Sequence, residues 1–74
     1  MTVVSDAALI QVNGADEPLC VTSLAALLAA KEIAPDRRGV AVALNGNVVP
    51  RARWAETSLV HGDIVEIVLA KQGG

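Results

Sequence analysis

The residues of this 74-residue chain with the clearest chemical potential are its last two, Gly73 and Gly74, which follow the polar pair Lys71-Gln72. Glycine has no Cβ, so a tail of this kind can extend, bend and approach the backbone of another protein closely. We expect the Gly74 carboxylate to be a free terminus that a partner enzyme can reach. The alternative is a frayed chain end without function, because termini are usually mobile whatever their composition.

The remaining reactive side chains do not combine into a catalytic set. The single histidine, His61, has no second base or nucleophile near it in the sequence, and the single cysteine, Cys20, cannot form an internal disulfide. Cys20 is either a thiol acceptor for sulfur or a small buried hydrophobe, as a lone strand cysteine usually is. No pattern indicates a metal site, and we expect no bound cofactor. An independent enzyme is therefore the least favoured class.

Charge and hydropathy exclude two further classes of partner. Six basic residues face eight acidic ones, for a net charge of -2, and they form no basic stripe, which argues against nucleic acid. The longest apolar run covers seven residues, 24–30, and is too short to cross a bilayer. No charged segment followed by a long apolar stretch begins the chain, so we expect no signal peptide and a cytoplasmic location.

Length predicts a single domain over residues 1–74, with a small core built from aliphatic side chains. Residues 1–7 look like a ragged N-terminal extension, and residues 71–74 look like a flexible C-terminal tail. A pocket for a drug-sized ligand needs about 300 Å³ or more. A chain of this size has little room for one beside its core, which favours a binding or carrier role.

Periodicity and turn residues predict five strands and one helix. The helix begins after Thr22 or Ser23 as N-cap, carries an apolar stripe, places Lys31 in its last turn and is stopped by Pro35. The Asn-Gly pairs at 13–14 and 45–46 predict hairpin turns. The predicted strands are 8–12, 17–21, 40–44, 48–49 and 64–70, with an irregular crossing at 51–58. Strand 40–44 is apolar throughout and is expected to be covered on both faces or nearly so, and Pro50 confines strand 48–49 to an edge.

The resulting order, β-β-α-β-β-β, predicts an α+β fold. One helix can cover one face of a sheet, so we expect a mixed sheet of four to five strands packed on that helix. The first and last strands would then lie side by side in the sheet centre. This arrangement is the β-grasp, or ubiquitin-like, fold.

Several segments resemble the bacterial sulfur carrier proteins of thiamine (thiazole) biosynthesis, the ThiS-like branch of the β-grasp proteins. The resemblance is carried by residues 42–54 (VALNGNVVPRARW), 61–67 (HGDIVEI), the helix start at 23–28 (SLAALL) and the terminal Gln72-Gly73-Gly74, and it covers the chain from about residue 10 to its end. His61 stands where the family usually has Asp or another polar residue. Lys71 stands where an apolar residue is common.

The resemblance implies a protein-bound sulfur donor. An adenylating, activating enzyme would use ATP on the Gly74 carboxylate, and sulfur from a persulfide donor protein would displace AMP to leave a thiocarboxylate for thiazole synthase. Gly73 and Gln72 would thread the active site of the partner. Two alternatives stay open: a sulfur carrier for molybdopterin or cysteine synthesis, and a non-covalent ubiquitin-like interaction module.

Three further residues are candidates for partner binding. Trp54, the only aromatic residue, is either an exposed anchor at an interface or the residue that fills the core of an aromatic-poor chain. Arg51 and Arg53 either pair with an acidic partner surface or are solvated loop charges.

Overall fold

The computed structural model describes residues 8–70, which form a five-stranded mixed sheet with one α-helix and one 3₁₀-helix. The predicted order of strands and helix is confirmed, but the crossing expected to be irregular is mostly a 3₁₀-helix. The elements are β1 (Leu9–Val12), β2 (Ala15–Pro18), α1 (Leu24–Ala30), β3 (Val40–Leu44), β4 (Asn47–Val48), the 3₁₀-helix (Arg51–Glu56) and β5 (Ile64–Leu69).

The strands lie in the order β2-β1-β5-β3-β4, so the first and last strands are neighbours near the centre of the sheet. β1 and β5 pair in parallel through Gln11 with Ile64 and Val12 with Val65, while the other pairs are antiparallel. β4 is the outermost strand on its side, as Pro50 predicts. The arrangement is the expected α+β β-grasp fold.

The first hairpin is tighter than the sequence analysis assumed. Asn13 and Gly14 both have positive φ, 51° and 86°, which makes a two-residue turn and pairs Val12 directly with Ala15. Strand β2 therefore begins and ends earlier than the predicted 17–21. Cys20 lies beyond the strand and is exposed, so its interpretation as a small buried hydrophobe is wrong.

Helix α1 begins as predicted and ends sooner. The Ser23 hydroxyl accepts a hydrogen bond from the backbone N–H of Ala26 at 3.1 Å, and the three leucines of the helix are buried. The helix ends at Ala30, five residues before Pro35. Lys31 is the C-cap residue rather than a residue of the last turn, and its ammonium group pairs with Glu17 at 2.8 Å.

The core lies between α1 and one face of the sheet. In β3 the side chain of Val42 is buried, whereas Ala41 is exposed. The expectation that this strand is covered on both faces is therefore wrong, because a single short helix covers one face of the sheet and nothing in residues 8–70 covers the other. The buried side chains are Ile10, Val12, Leu24, Leu27, Leu28, Ile33, Val42, Trp54, Leu59, Val65 and Ile67.

Candidate partner-docking site around the root of the tail

Strand β5 is the element that positions the C-terminal tail. Val65 and Ile67 anchor it in the core, and its antiparallel ladder with β3 runs to the pair Val40 and Leu69. One further hydrogen bond, from the Ala70 N–H to the Gly39 carbonyl at 2.7 Å, extends the ladder beyond the strand. We call Leu69 and Ala70 the tail root.

The other side of β5 is held by a side chain instead of a strand. β1 turns away at Asn13, and the Asn13 amide bonds the backbone of Ile67 twice: Nδ2 donates to the Ile67 carbonyl at 3.2 Å, and Oδ1 accepts from its N–H at 2.7 Å. Both bonds are partly buried. The sequence analysis assigned Asn13 to the turn and missed this role. The signal in the sequence is the side chain of asparagine itself, because its short amide can both donate and accept a hydrogen bond.

A second asparagine holds the start of β5. The N–H of Ile64 donates to Asn45 Oδ1 at 2.9 Å, and Asn45 Nδ2 donates to the carboxylate of Asp63 at 3.0 Å. Asp63 in turn accepts from the Val60 N–H at 2.9 Å. The turn before β5 is thereby closed on itself and tied to the hairpin between β3 and β4.

His61 has a structural role in this turn. Its Nδ1 accepts a hydrogen bond from the Leu9 N–H at 3.0 Å, while the Gly62 N–H donates to the Leu9 carbonyl at 2.8 Å. These two bonds extend the pairing of β1 past the end of its ladder with β5. The prediction that His61 belongs to a turn is confirmed.

Gln72, Gly73 and Gly74, the residues predicted to enter a partner, lie outside the described residues, as do Lys71 and the extension at 1–7. Their roles stay predictions. Covalent geometry limits the reach of the tail: four residues beyond Ala70 span at most about 14 Å. A partner that acts on Gly74 must therefore bring its own surface close to the tail root.

Trp54 packs into the core. It is 4% exposed, and its indole Nε1 donates to the Val49 carbonyl at 2.9 Å. The alternative in which it fills the core is confirmed, and the exposed anchor is wrong, because this is the one large ring available to close the space between α1 and the 3₁₀-helix.

The two arginines of the 3₁₀-helix differ in what they contact. The guanidinium group of Arg51 lies 4.7 Å from the centre of the Trp54 ring and donates to the carbonyls of Pro35 and Arg37. Arg53 forms an exposed ion pair with Glu56 at 3.5 Å. Neither arrangement tests the predicted contact with a partner, but Arg51 clearly has an internal structural role.

The face of the sheet opposite α1 carries exposed apolar side chains. Val68 is 60% exposed and Val48 is 74% exposed, and the small side chain of Ala41 lies beside Val68 in the pairing of β3 with β5. Exposed apolar side chains that are neighbours on one face often mark a protein–protein contact. This outer face leads directly to the tail root, because β5 contributes to both.

The described residues also contain an apolar groove on the side of α1. It has a volume of about 320 Å³ and is lined by side chains such as Ala25, Ile33, Pro35 and Trp54, none of which can transfer a proton. The expectation that the chain has little room for such a space was too strict. No group of three or more His, Cys, Asp or Glu side chains in residues 8–70 is placed to hold a metal ion.

No helix in the described part of the chain is long and apolar enough to cross a membrane.

Comparisons with known proteins agree with this geometry. The sequence profile of the ThiS family matches residues 7–74, which includes the terminal glycines. The crystal structure of a thiamine biosynthesis protein (ThiS) from Geobacter metallireducens is similar, with a TM-score of 0.72 and 30% sequence identity over 89% of this chain and 99% of that chain. No curated protein sequence matches. The chain belongs to the ThiS family, whose members are small β-grasp sulfur carriers of thiamine biosynthesis.

Proposed function

We propose that this ThiS-family chain carries sulfur as a thiocarboxylate on Gly74 and donates it for formation of the thiazole ring of thiamine. The observation that carries the proposal is the placement of β5. It lies between β1 and β3, is bonded on both sides as far as Ile67 and on one side as far as Ala70, and leads into a Gly-Gly terminus covered by the family match.

The chemistry begins with activation of the carboxylate. A Gly74 oxygen attacks the α-phosphorus of ATP, pyrophosphate leaves, and the product is an acyl adenylate. The terminal sulfur of a persulfide then attacks the acyl carbon and releases AMP, which gives an acyl disulfide. A thiol attacks the outer sulfur of that disulfide; the S–S bond breaks, its electron pair stays on the acyl sulfur as the thiocarboxylate, and the thiol is oxidised to a new disulfide.

The partners of this reaction are an adenylating enzyme, a persulfide donor protein and thiazole synthase. The adenylating enzyme supplies the ATP site, so the carrier itself needs no cofactor. The cytoplasm, where thiols are kept reduced, suits the final thiol step. In the adenylating enzyme and in thiazole synthase, Gln72 and Gly73 occupy the channel that leads to the reacting carbon. The exposed apolar outer face around Val68 and Val48 supports docking beside that channel.

Cβ-less residues suit this channel because its walls must close around the backbone. Gly73→Val adds bulk and restricts φ and ψ where the tail must thread. Deletion of Gly74 shortens the tail by about 3.5 Å and leaves the new terminus short of the reacting site. Both changes lie beyond the last described strand, and the described core is formed by residues between Ile10 and Ile67, so we expect stability within about 0.5 kcal/mol of the wild type.

Intact-protein mass spectrometry tests the proposal. After incubation with ATP, the cognate adenylating enzyme, a persulfide donor and a thiol, the wild-type chain should gain the mass difference between sulfur and oxygen on its C-terminal peptide. The Gly74 deletion and Gly73→Val should not gain it. Cys20→Ser is the matched control: Cys20 is exposed but far in sequence from the tail, and this variant should gain sulfur like the wild type.

Three outcomes would redirect the proposal. A wild-type chain that gains nothing, or tail variants that gain sulfur equally well, would favour the non-covalent interaction module. Loss of sulfur uptake in a folded Cys20→Ser variant would make the thiol a participant. Transfer of sulfur to molybdopterin synthesis or cysteine synthesis, but not to thiazole synthase, would favour one of the other carrier branches.

A further inference from the structure

The lysine and arginine side chains within residues 8–70 fall into two groups, those that contact another described residue and those that do not. Lys31 pairs with Glu17, Arg53 pairs with Glu56, and Arg51 is held by backbone carbonyls and the Trp54 ring. The two that remain are Arg37 and Arg38. Both are exposed, and neither side chain forms an ion pair or a hydrogen bond with another described residue.

These two arginines lie beside the tail root. The carbonyl of Gly39, the next residue in the chain, accepts the hydrogen bond from the Ala70 N–H. Consecutive Cα atoms are about 3.8 Å apart, so the backbone of Arg38 is one residue from the last hydrogen bond of β5 within residues 8–70. The fold thus brings to the tail root two charges that lie more than 30 positions away from Gly74 in the sequence.

The loop that carries these arginines is held at both ends. Arg51 donates to the carbonyls of Pro35 and Arg37, and the Arg37 N–H donates to the Ala34 carbonyl at 3.0 Å. At the other end Gly39, with a φ of 75°, leads into β3 and bonds Ala70. A loop that is already ordered loses less conformational entropy when it binds, which is expected of a docking element.

We propose that Arg37 and Arg38 form a docking contact that guides the tail into its adenylating enzyme, and that this enzyme carries carboxylates around the opening that admits the tail. The inference rests on the proposed function. The tail reaches at most about 14 Å beyond Ala70, so the rim of the opening lies close to the tail root during the reaction. Arginines beside the tail root can therefore come within a Debye length of carboxylates on the rim, about 8 Å at physiological ionic strength, where their attraction is only partly screened.

The two arginines favour an acidic rim over a neutral one, because only an acidic rim attracts them. The whole chain has a net charge of -2, so an acidic partner surface repels it at long range unless a local positive region is presented. Arg37 and Arg38 supply that region where the tail leaves the sheet. Rim charges of this kind act mainly on the association rate and on its salt dependence.

Charge reversal at single positions tests the contact. The variants are Arg37→Glu and Arg38→Glu, and Lys31→Glu is the matched control because it changes the net charge equally at the exposed C-cap of α1, beside the edge strand β2. The assay is carrier-dependent ATP–pyrophosphate exchange by the cognate adenylating enzyme, measured against carrier concentration and NaCl. We expect kcat/KM at low salt to fall about tenfold for the first two variants through KM, with kcat unchanged and a shallower salt dependence.

The possible outcomes separate this inference from the function on which it rests. If wild-type carrier stimulates exchange, and Arg37→Glu and Arg38→Glu match Lys31→Glu, the docking contact is wrong while the carrier function stands. If all three reversals weaken exchange equally, the effect belongs to net charge and the contact is also overturned. If wild-type carrier gives no exchange, both fall. Unchanged urea midpoints verify folding, and Arg38→Lys should retain most of the wild-type rate.

Discussion

The two Asn-Gly turns of this chain have nearly the same backbone and different tertiary roles. Asn13 and Asn45 have φ values of 51° and 53°, and the glycines after them have 86° and 88°. Each asparagine also uses its amide to hold β5. Asn13 places both of its hydrogen bonds on the backbone of Ile67 in a partly buried position, whereas Asn45 divides its bonds between Ile64 and the Asp63 carboxylate in an exposed one.

The difference follows from where the neighbouring strand ends. β1 pairs with β5 at Ile64 and Val65 and then turns away, so Ile67 would have no partner on that side without Asn13. At Asn45 the ladder between β3 and β5 is already complete to Val65, and the amide adds to a turn that water can also solvate. Near the tail, Asn-Gly therefore supplies hydrogen bonds that a strand would otherwise make. At the opposite end of β5 it only adds hydrogen bonds to a ladder that is already complete.

The largest effect is expected for Asn13→Gly. Glycine accepts the positive φ, so the substitution removes the amide without straining the turn. It leaves the N–H and carbonyl of Ile67 without partners at a partly buried position, which costs about 1–3 kcal/mol. Urea unfolding monitored by Trp54 fluorescence measures this loss, and hydrogen exchange should show faster exchange of the Ile67 amide.

Ile67 lies three residues before Ala70, so the same variant also tests whether loss of these two hydrogen bonds affects the function of the tail. Sulfur acquisition should persist at saturating adenylating enzyme, because the reacting Gly74 is unchanged. An Asn13→Gly variant with wild-type stability and an unchanged Ile67 exchange rate would show that the amide does not replace the missing strand.

Asn45→Gly should cost less, about 0.5–1 kcal/mol, because water can replace both exposed hydrogen bonds. Both glycine substitutions add similar freedom to the unfolded chain, so the difference between the two variants isolates the amide contacts. The same urea experiment applies, with exchange of the Ile64 amide as the local measurement. If Asn45→Gly lowered the free energy of unfolding as much as Asn13→Gly, the two amides would not differ in their contribution to the sheet.

The comparison also explains which parts of the fold were predictable. Asn-Gly is a local signal, so both turns were located from the sequence, as were the Ser23 cap, the leucine stripe of α1 and the apolar run of β5. The bounds of β2 were not, because the two-residue turn brings Ala15 and Asp16 into the strand and leaves Cys20 outside it. The ends of a strand depend on its register with the partner strand, and the sequence of one segment alone does not determine that register.

The candidate site was less predictable than the fold for the same reason. Gly73 and Gly74 stand out in the sequence because their chemistry is local. Arg37 and Arg38 carry no such local signal, since their position beside the tail root depends on the bond between Ala70 and Gly39. Pairings between distant segments also decide which arginines remain available, as Arg51 is held by the loop that presents the other two.

The smallest expected contrast is between Gly14→Ala and Gly46→Ala. A Cβ at either position meets no atom within 4 Å, so neither substitution creates a clash with another part of the chain. The cost comes from the left-handed backbone alone, about 1–2 kcal/mol, and the φ values of 86° and 88° make it the same at both turns. Urea midpoints of the two variants should therefore agree. These substitutions strain the turns but remove neither amide. A clear difference between their urea midpoints would therefore mean that the two turns also differ in the stability of their backbones, and not only in the asparagine contacts to β5.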